Sequence, residues 1–216
     1  MTTLYSSPLS SPEQLEDWII EGPMVASFPA GRLRLESAAD PAEGQAANFV
    51  AWLPAHHDGD MRISFDFRPL REPGLAMIFW AASARGGGSL HDAALPPRTG
   101  EYEQYHSGAI DAYHLSYFRR MWPSERSLHT CNVRKSHGFH LVAQGADPLP
   151  AVLDVDRDYH LALTWRGTTV EFTIDGISCL SWSDDGTVGG PARRGGAIGL
   201  RQMAPLIAEY SDLRIE

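Results

Sequence analysis

The run from Tyr159 to Trp182, YHLALTWRGTTVEFTIDGISCLSW, leaves the chain little choice of local structure. Leu161, Leu163 and Trp165 alternate with Ala162 and Thr164, and beyond Gly167 the residues Val170, Phe172 and Ile174 alternate with Glu171, Thr173 and Asp175. A two-residue apolar period puts one set of side chains on a single face of a strand, whereas a helix would scatter it around its axis. Asp175-Gly176 suits a type I′ hairpin turn, in which both central residues need positive φ. Ile177, Cys179 and Trp182 then open a further strand. Three consecutive antiparallel strands with one dry face make half of a β-sandwich.

The same signature recurs in RLRLES, NFVAWL, MRISFDFRP, LAMIFWAA, YHLSYFRR, HTCNVRK, FHLVAQG, GAIGLRQM and EYSDLRIE. These pieces are short, rich in aromatic and β-branched residues, and separated by turn-forming residues. Helix signals are few. SSPEQLEDW combines Ser11 as a cap, Pro12 at the first helical position, and Glu13 and Glu16 at the positive end of the dipole, which predicts a turn or two. A parallel βαβ protein would need helices of about 10 to 15 residues between its strands. The expectation is therefore all-β: a two-sheet antiparallel β-sandwich in a single domain over 1–216, with residues 1–20 as an N-terminal arm. Ser83 to Gln104, rich in Gly and Pro, is the longest connection and predicts a loop or lid.

Charge and cysteine content narrow the partners. A net charge of -9 argues against general affinity for nucleic acid, because phosphate contacts need a basic face. Arg119, Arg120, Arg126, Arg134 and Lys135 nevertheless lie close enough in sequence to form a small basic pocket. No apolar run reaches the roughly 20 residues needed to cross a bilayer, so no membrane partner is expected. MTTLYSSPLSSPEQLEDW lacks the basic and apolar regions of a secretory signal. Cys131 and Cys179 are too few for a disulfide framework and too widely spaced for a zinc ribbon or a CxxC motif. The expectation is two reduced thiols in a cytoplasmic protein.

EPGLAMIFWAA, EYEQYHSGAIDAYHLSYFRR, HTCNVRKSHGFHLVAQGADPLP, SWSDDG and GAIGLRQMAP resemble the motifs of the YesU-like family of bacterial proteins. The resemblance covers nearly all of the chain from about Trp52 onward. It implies a concanavalin A-like jelly roll with a concave face, and an association with breakdown of rhamnogalacturonan-type pectic polysaccharide. It supplies neither a reaction nor a catalytic residue.

In a sandwich, alternate residues of each strand point to the core and the others outward, so a curved sheet presents a groove. In YHLSYFRR the inward set is Tyr113, Leu115 and Tyr117, leaving His114, Ser116, Phe118 and Arg120 outside. RISFDFR leaves Asp66 outside, TCNVRK leaves Asn132 and Arg134, and GLRQM leaves Arg201, or Gln202 if a bulge intervenes. Burying Met77 and Phe79 aims Trp80 outward. Gln144 joins the face, and Gln104 and His106 lie at its mouth, where the long loop rejoins the sheet. An aromatic gives a platform for the apolar face of a sugar, amides read hydroxyls, and arginines bind a carboxylate bidentately. That mixture suits a uronate-containing oligosaccharide.

The paired carboxylates of a glycosidase and the G-x-S-x-G elbow of an esterase have no match as motifs. β-Elimination fits better. Arg134, Arg120 and Arg201 would neutralise the substrate carboxylate, and His114 or His106, with an ordinary pKa near about 6.5, would remove the proton. Hydrolysis would instead draw on Asp66 and Asp111. The alternative is a non-catalytic glycan-binding module with the same groove, and a third reading is a scaffold whose outer face a partner chain covers. A homodimer is compatible with each. Plainer readings stand beside these: an outward His is more often a solvated surface residue, and an exposed Arg pairs with a neighbouring acid for about 0–1 kcal/mol. HHDGD at His56 to Asp60 reads as a turn between strands, without a catalytic metal. No motif names a cofactor, but the resemblance to jelly rolls, which often hold a structural calcium, leaves open an oxygen-rich site involving Asp58, Asp60 or Asp212.

Overall fold

The computed structural model describes residues 3–216. In chain order its first strands are β1 (Tyr5–Ser7), β2 (Ile19–Glu21), β3 (Met24–Ser27), β4 (Leu33–Ser37), β5 (Phe49–Asp58), β6 (Met61–Arg71), β7 (Leu75–Ala84) and β8 (Ile110–Arg119). They are followed by β9 (Thr130–Ser136), β10 (His140–Ala146), β11 (Tyr159–Arg166), β12 (Thr169–Ile174), β13 (Ile177–Ser183), β14 (Gly195–Met203) and β15 (Ile207–Ile215). The helices are short: α1 (Glu103–His106), α2 (Pro123–Leu128) and several 3-10 turns. One of these turns, Pro12–Leu15, falls where SSPEQLEDW predicts, although the Ser11 hydroxyl makes no capping bond.

The strands form two antiparallel sheets. The first runs β13-β12-β11-β6-β15-β4-β3, with β1 also pairing β15, and the second runs β10-β9-β8-β7-β14-β5-β2. The N-terminal arm is woven into both sheets, because β1 pairs with β15 and β2 with β5. The hairpin read from the sequence forms as expected. Leu161 to Trp165 pair with Ile174 to Val170, and Asp175 (φ 50) and Gly176 (φ 77) supply the two positive dihedrals. A bulge after Phe172 then turns Cys179 and Leu180 inward and leaves Ile177 exposed.

One apolar cluster fills the space between the sheets. At its centre Phe65 and Phe67 of β6, Tyr210 of β15 and Tyr117 of β8 meet at ring separations of 5.2 to 5.9 Å. Each such buried side chain stabilises the fold by roughly 1.5–3 kcal/mol.

Departures from strict alternation decide which side chains face out of the second sheet. Met77 pairs with Ser116 but Leu75 pairs with Arg119, so Tyr117 and Phe118 together oppose Ala76. Both enter the core, which corrects the outward placement expected for Phe118. An extra residue of this kind reverses the phase of everything beyond it. Arg119 therefore turns to the outer face. Arg120, expected there, is buried instead, bonded to Asp147 at 2.7 Å and to the Leu149 carbonyl at 2.8 Å. On β7 the phase is likewise opposite to expectation: Ala76, Ile78 and Trp80 join the core, while Met77 and Phe79 face outward. Trp80 is thus fully buried, 5.3 Å from the Tyr113 ring.

The long connection after β7 folds back over half of this outer face as a lid. Its Leu90 and Tyr105 cover Val50, Trp52, Phe79, Ile110, Ala112 and Ala197. The fastening is polar. Tyr105 Oη donates to Glu21 at 2.7 Å, and Arg98 clasps both oxygens of that carboxylate at 2.6 and 3.1 Å. Gly100 (φ 97) is pressed against the Asn48 carbonyl, which a Cβ at that position would strike.

Candidate functional site

Beside the lid the outer face stays open as a cavity of about 290 Å³. Alternate strand residues make its floor: Leu75 and Met77 of β7, Ser116 and Arg119 of β8, Asn132 and Arg134 of β9, and Met203 of β14. Connections supply its walls: Tyr102 from the lid, Trp122 and Glu125 from the start of α2, Phe139 from the β9–β10 turn, and Gln45 from the β4–β5 connection. Trp122 is 50% exposed and Phe139 49%, so both keep aromatic surface free at the rim.

Glu125 is the carboxylate of this cavity, and it is fully engaged. It accepts from Arg119 at 2.6 Å and from the backbone N–H groups of Met121 (3.1 Å) and Trp122 (3.3 Å), closing the first turn of α2 in the manner of a capping box. Arg119 also donates to Thr130 Oγ1 at 2.7 Å. Arg134 differs. Its guanidinium lies 3.7 Å over the Phe139 ring and donates to the Phe139 carbonyl at 3.0 Å, with no carboxylate partner among the described residues.

Tyr102 closes one end. Its hydroxyl meets His114 Nε2 at 2.7 Å, and the Arg201 guanidinium lies 4.7 Å over its ring. Arg201 is 0% exposed and likewise has no carboxylate partner among the described residues. Its Nη2 reaches Gln45 Oε1 and the Gly100 carbonyl, each at 3.3 Å, while Nε and Nη1 have no partner. Burial drives the titrations here. It raises Tyr102 to about 12, lowers Arg201 to about 10, and holds His114 well below the usual histidine value, with Arg134 next in effect on His114. At neutral pH the end wall is a phenol on a neutral imidazole, backed by a cation.

The sequence-predicted residues divide accordingly. Arg134, Asn132 and Ser116 reach the cavity. Gln144 lies beside it, its side-chain amide 2.9 Å from that of Asn132. His114 and Arg201 face the same side but sit behind Tyr102. His106 stands at the rim, its ring 4.7 Å from Tyr102 and 4.6 Å from Phe139. The others belong elsewhere. Gln104 is bound to Thr99 on the outside of the lid. Gln202 turns into the core, donating to Tyr210 Oη at 2.8 Å. Asp66 lies on the opposite sheet, 2.8 Å from His160. Asp111 is held by Arg193 at 3.0 Å and by the His137 N–H. Tyr102, Trp122, Glu125, Phe139 and Gln45 lie in connections, where strand alternation gives no guide. One signal did point to the α2 wall: WPSE places Pro123 at a helix start with Glu125 two residues later.

Among the described residues no three or more His, Cys, Asp or Glu side chains come together as a metal site, and Asp58, Asp60 and Asp212 form no such group. Asp58 lies 3.0 Å from His56, and Asp60 accepts from the Gly167 N–H. No helix among the described residues is long and apolar enough to cross a membrane.

Two facing antiparallel sheets with a ligand-sized cavity on an outer face define a lectin-like jelly roll, the concanavalin A-like class. The chain belongs to the family described as a domain of unknown function, DUF1961, which matches residues 2–215. It is 45% identical over 212 residues to the uncharacterized protein YesU of Bacillus subtilis strain 168, covering 98% of this chain and 94% of that protein. It is also similar to a crystal structure of a Bacillus subtilis protein of unknown function with a galectin-like fold, at 44% identity and a TM-score of 0.96, covering 100% of this chain and 96% of that one. A more distant likeness, to lectin I-B4 of Griffonia simplicifolia, has 14% identity and a TM-score of 0.65 over 98% of each chain and bears on the fold alone.

Proposed function

We propose that the protein binds a uronate-containing oligosaccharide of the rhamnogalacturonan type in this cavity and cleaves it by β-elimination. The observation that carries the reading is the Arg134 guanidinium, lining an aromatic-walled cavity without a carboxylate partner, with Arg201 likewise unpaired behind Tyr102. A buried cation without a counter-charge is costly, and an anionic ligand relieves that cost. Arg134 lines the cavity and can meet a carboxylate directly. Trp122 offers a face to a pyranose ring, Phe139 an edge at the rim, and Asn132, Ser116 and Gln45 are placed to read hydroxyls.

Neutralising the carboxylate acidifies the adjacent C–H. His106, kept neutral by burial and with Nδ1 tied to Ser107 at 2.7 Å, takes that proton through Nε2. The electron pair forms the new C=C bond as the glycosidic C–O bond breaks. Tyr102, a phenol at neutral pH, gives its proton to the departing oxygen, with His114 orienting it from behind. Hydrolysis is less well supported, since the carboxylate in the cavity is already committed to Arg119 and two backbone groups. The same engagement supports a second reading, binding without turnover: Glu125 and His114 both already have partners within the protein. Cys131 and Cys179, free and buried, support a reducing, cytoplasmic setting for either.

The test is to incubate the protein with rhamnogalacturonan, pectic and other uronate oligosaccharides, following the ultraviolet absorbance of an unsaturated uronate alongside mass spectrometry. Absorbance gained at unchanged total mass is the expected result. A gain of one water per cut would replace elimination by hydrolysis, and a thermal shift without product would leave the binding module.

A further inference from the structure

The walls of the cavity are continuous on three sides. At the β14 end Gln45 ties the lid to the sheet: its Oε1 accepts from the Tyr102 N–H at 3.2 Å, from Arg201 Nη2 at 3.3 Å and from Asn48 Nδ2 at 3.0 Å. Along the lid side, the β9–β10 turn is stapled to α1 by the Gly138 N–H, which donates to the His106 carbonyl at 2.6 Å. Phe139, from the same turn, packs 5.6 Å from Tyr102. On the far side Glu125 locks the start of α2 to Arg119. The remaining direction runs over Asn132 and Gln144 to β10, the edge strand of the sheet, where Leu141 is exposed.

Beyond Tyr102 there is no continuation for a ligand. Next to it Leu90 and Tyr105 of the lid lie on the sheet, and the residues beneath them are buried. At about 290 Å³ the cavity is also near the lower bound of the roughly 300–1,000 Å³ typical of ligand pockets. A polysaccharide lying across the sheet would have to pass through the Gln45–Arg201–Tyr102 wall.

We infer that the cavity receives the end of an anionic oligosaccharide chain, its terminal residue against Tyr102 and Gln45 and the rest of the chain leaving over Asn132 and Gln144. This rests on the glycan reading above and adds the mode of attack: trimming from an end, with short oligosaccharides as substrates and the intact polymer a poor one. The uncompensated charge of Arg134 and Arg201 places the anionic group at the closed end, within the terminal residues.

The experiment uses the full chain and a size-graded series of uronate-containing oligosaccharides together with their parent polymer. Each is offered unmodified, reduced at the reducing end, or capped at the other end, and calorimetry gives affinity and stoichiometry. The expected result is one protein per chain whatever its length, affinity that stops rising after the first few rings, and loss of at least tenfold in affinity with one of the two end modifications. Several proteins bound along one polymer chain, or indifference to both modifications, would leave glycan binding standing and overturn end capture. No binding by any member of the series would sink the glycan reading itself, and this inference with it.

Discussion

The two halves of one sheet face have opposite electrostatic fates. Where Leu90 and Tyr105 cover the sheet, the charge is answered: Glu21 takes Arg98 on both oxygens and Tyr105 besides, and the rest of the contact is apolar. In the open half Arg119 and Arg134 share one carboxylate, and Arg201, behind Tyr102 at the boundary, has none. Identical strand geometry produces both, so the difference comes from the connections laid over the sheet. A closed half can be optimised for stability, whereas an open half that binds an anion must hold charge in reserve. Functional sites commonly sacrifice local stability in this way.

The largest effect should come from unfastening the lid. Glu21→Ala leaves Arg98 buried without a counter-charge and the Tyr105 hydroxyl without its acceptor, and breaking a buried pair costs about 3–5 kcal/mol. Urea unfolding should show a loss of that size; a loss under about 1 kcal/mol would mean that the lid is not held by this cluster. Arg134→Ala should do the reverse. Affinity for a uronate oligosaccharide should fall by about 10- to 100-fold, the equivalent of the roughly 1.5–3 kcal/mol of a charge-assisted bond. Its unfolding free energy should stay within about 0.5 kcal/mol of wild type.

Arg201→Met removes a buried cation that no carboxylate balances, so the protein should gain about 0.5–2 kcal/mol in stability while binding more weakly. If the variant were less stable, the reserve of charge in the open half would be illusory. Trp122→Ala should weaken oligosaccharide binding by about 0.5–1.5 kcal/mol without moving the thermal midpoint, as expected for an aromatic face offered to a ligand. The smallest effect concerns pH. Burial depresses the folded-state pKa of His114, so below about pH 6.5 the unfolded chain binds a proton that the folded one resists. Stability is intact above that pH and declines as pH falls below it, until the folded-state value is reached. Thermal midpoints measured between pH 7 and 5 should show this decline, and His114→Gln should reduce it, leaving the smaller share of His57, His91 and His106, which burial also lowers.

The sequence carries the architecture well, because a period of two over many short segments has few other solutions. Leu161 to Ile177 display their turn, their register and their buried face without help from the rest of the chain. The site is a different matter. Asn132, Arg134 and Ser116 were readable because β9 and the first part of β8 alternate without interruption. Arg119 and Arg120 were exchanged by a single bulge that local propensity does not announce, and Trp80 was misplaced because LAMIFWAA is apolar at every position and carries no phase. Tyr102, Trp122 and Phe139 depend on where loops land. Asp66 faces outward, as its alternation requires, but from the other sheet, a distinction that no period in the sequence encodes.

The bulge at Tyr117–Phe118 has a consequence for how such a site can change. Flattening it with every residue kept would restore strict alternation and rotate the two arginines through half a turn, taking Arg119 off the cavity and bringing Arg120 to it. Asp147 would lose its partner in the same event, and Glu125 would lose its own. The charge pattern of the cavity is thus set by the counting of residues along β8 as much as by their identities. A slip in the register of β8 against β7 is therefore a route to new specificity that no single substitution can imitate.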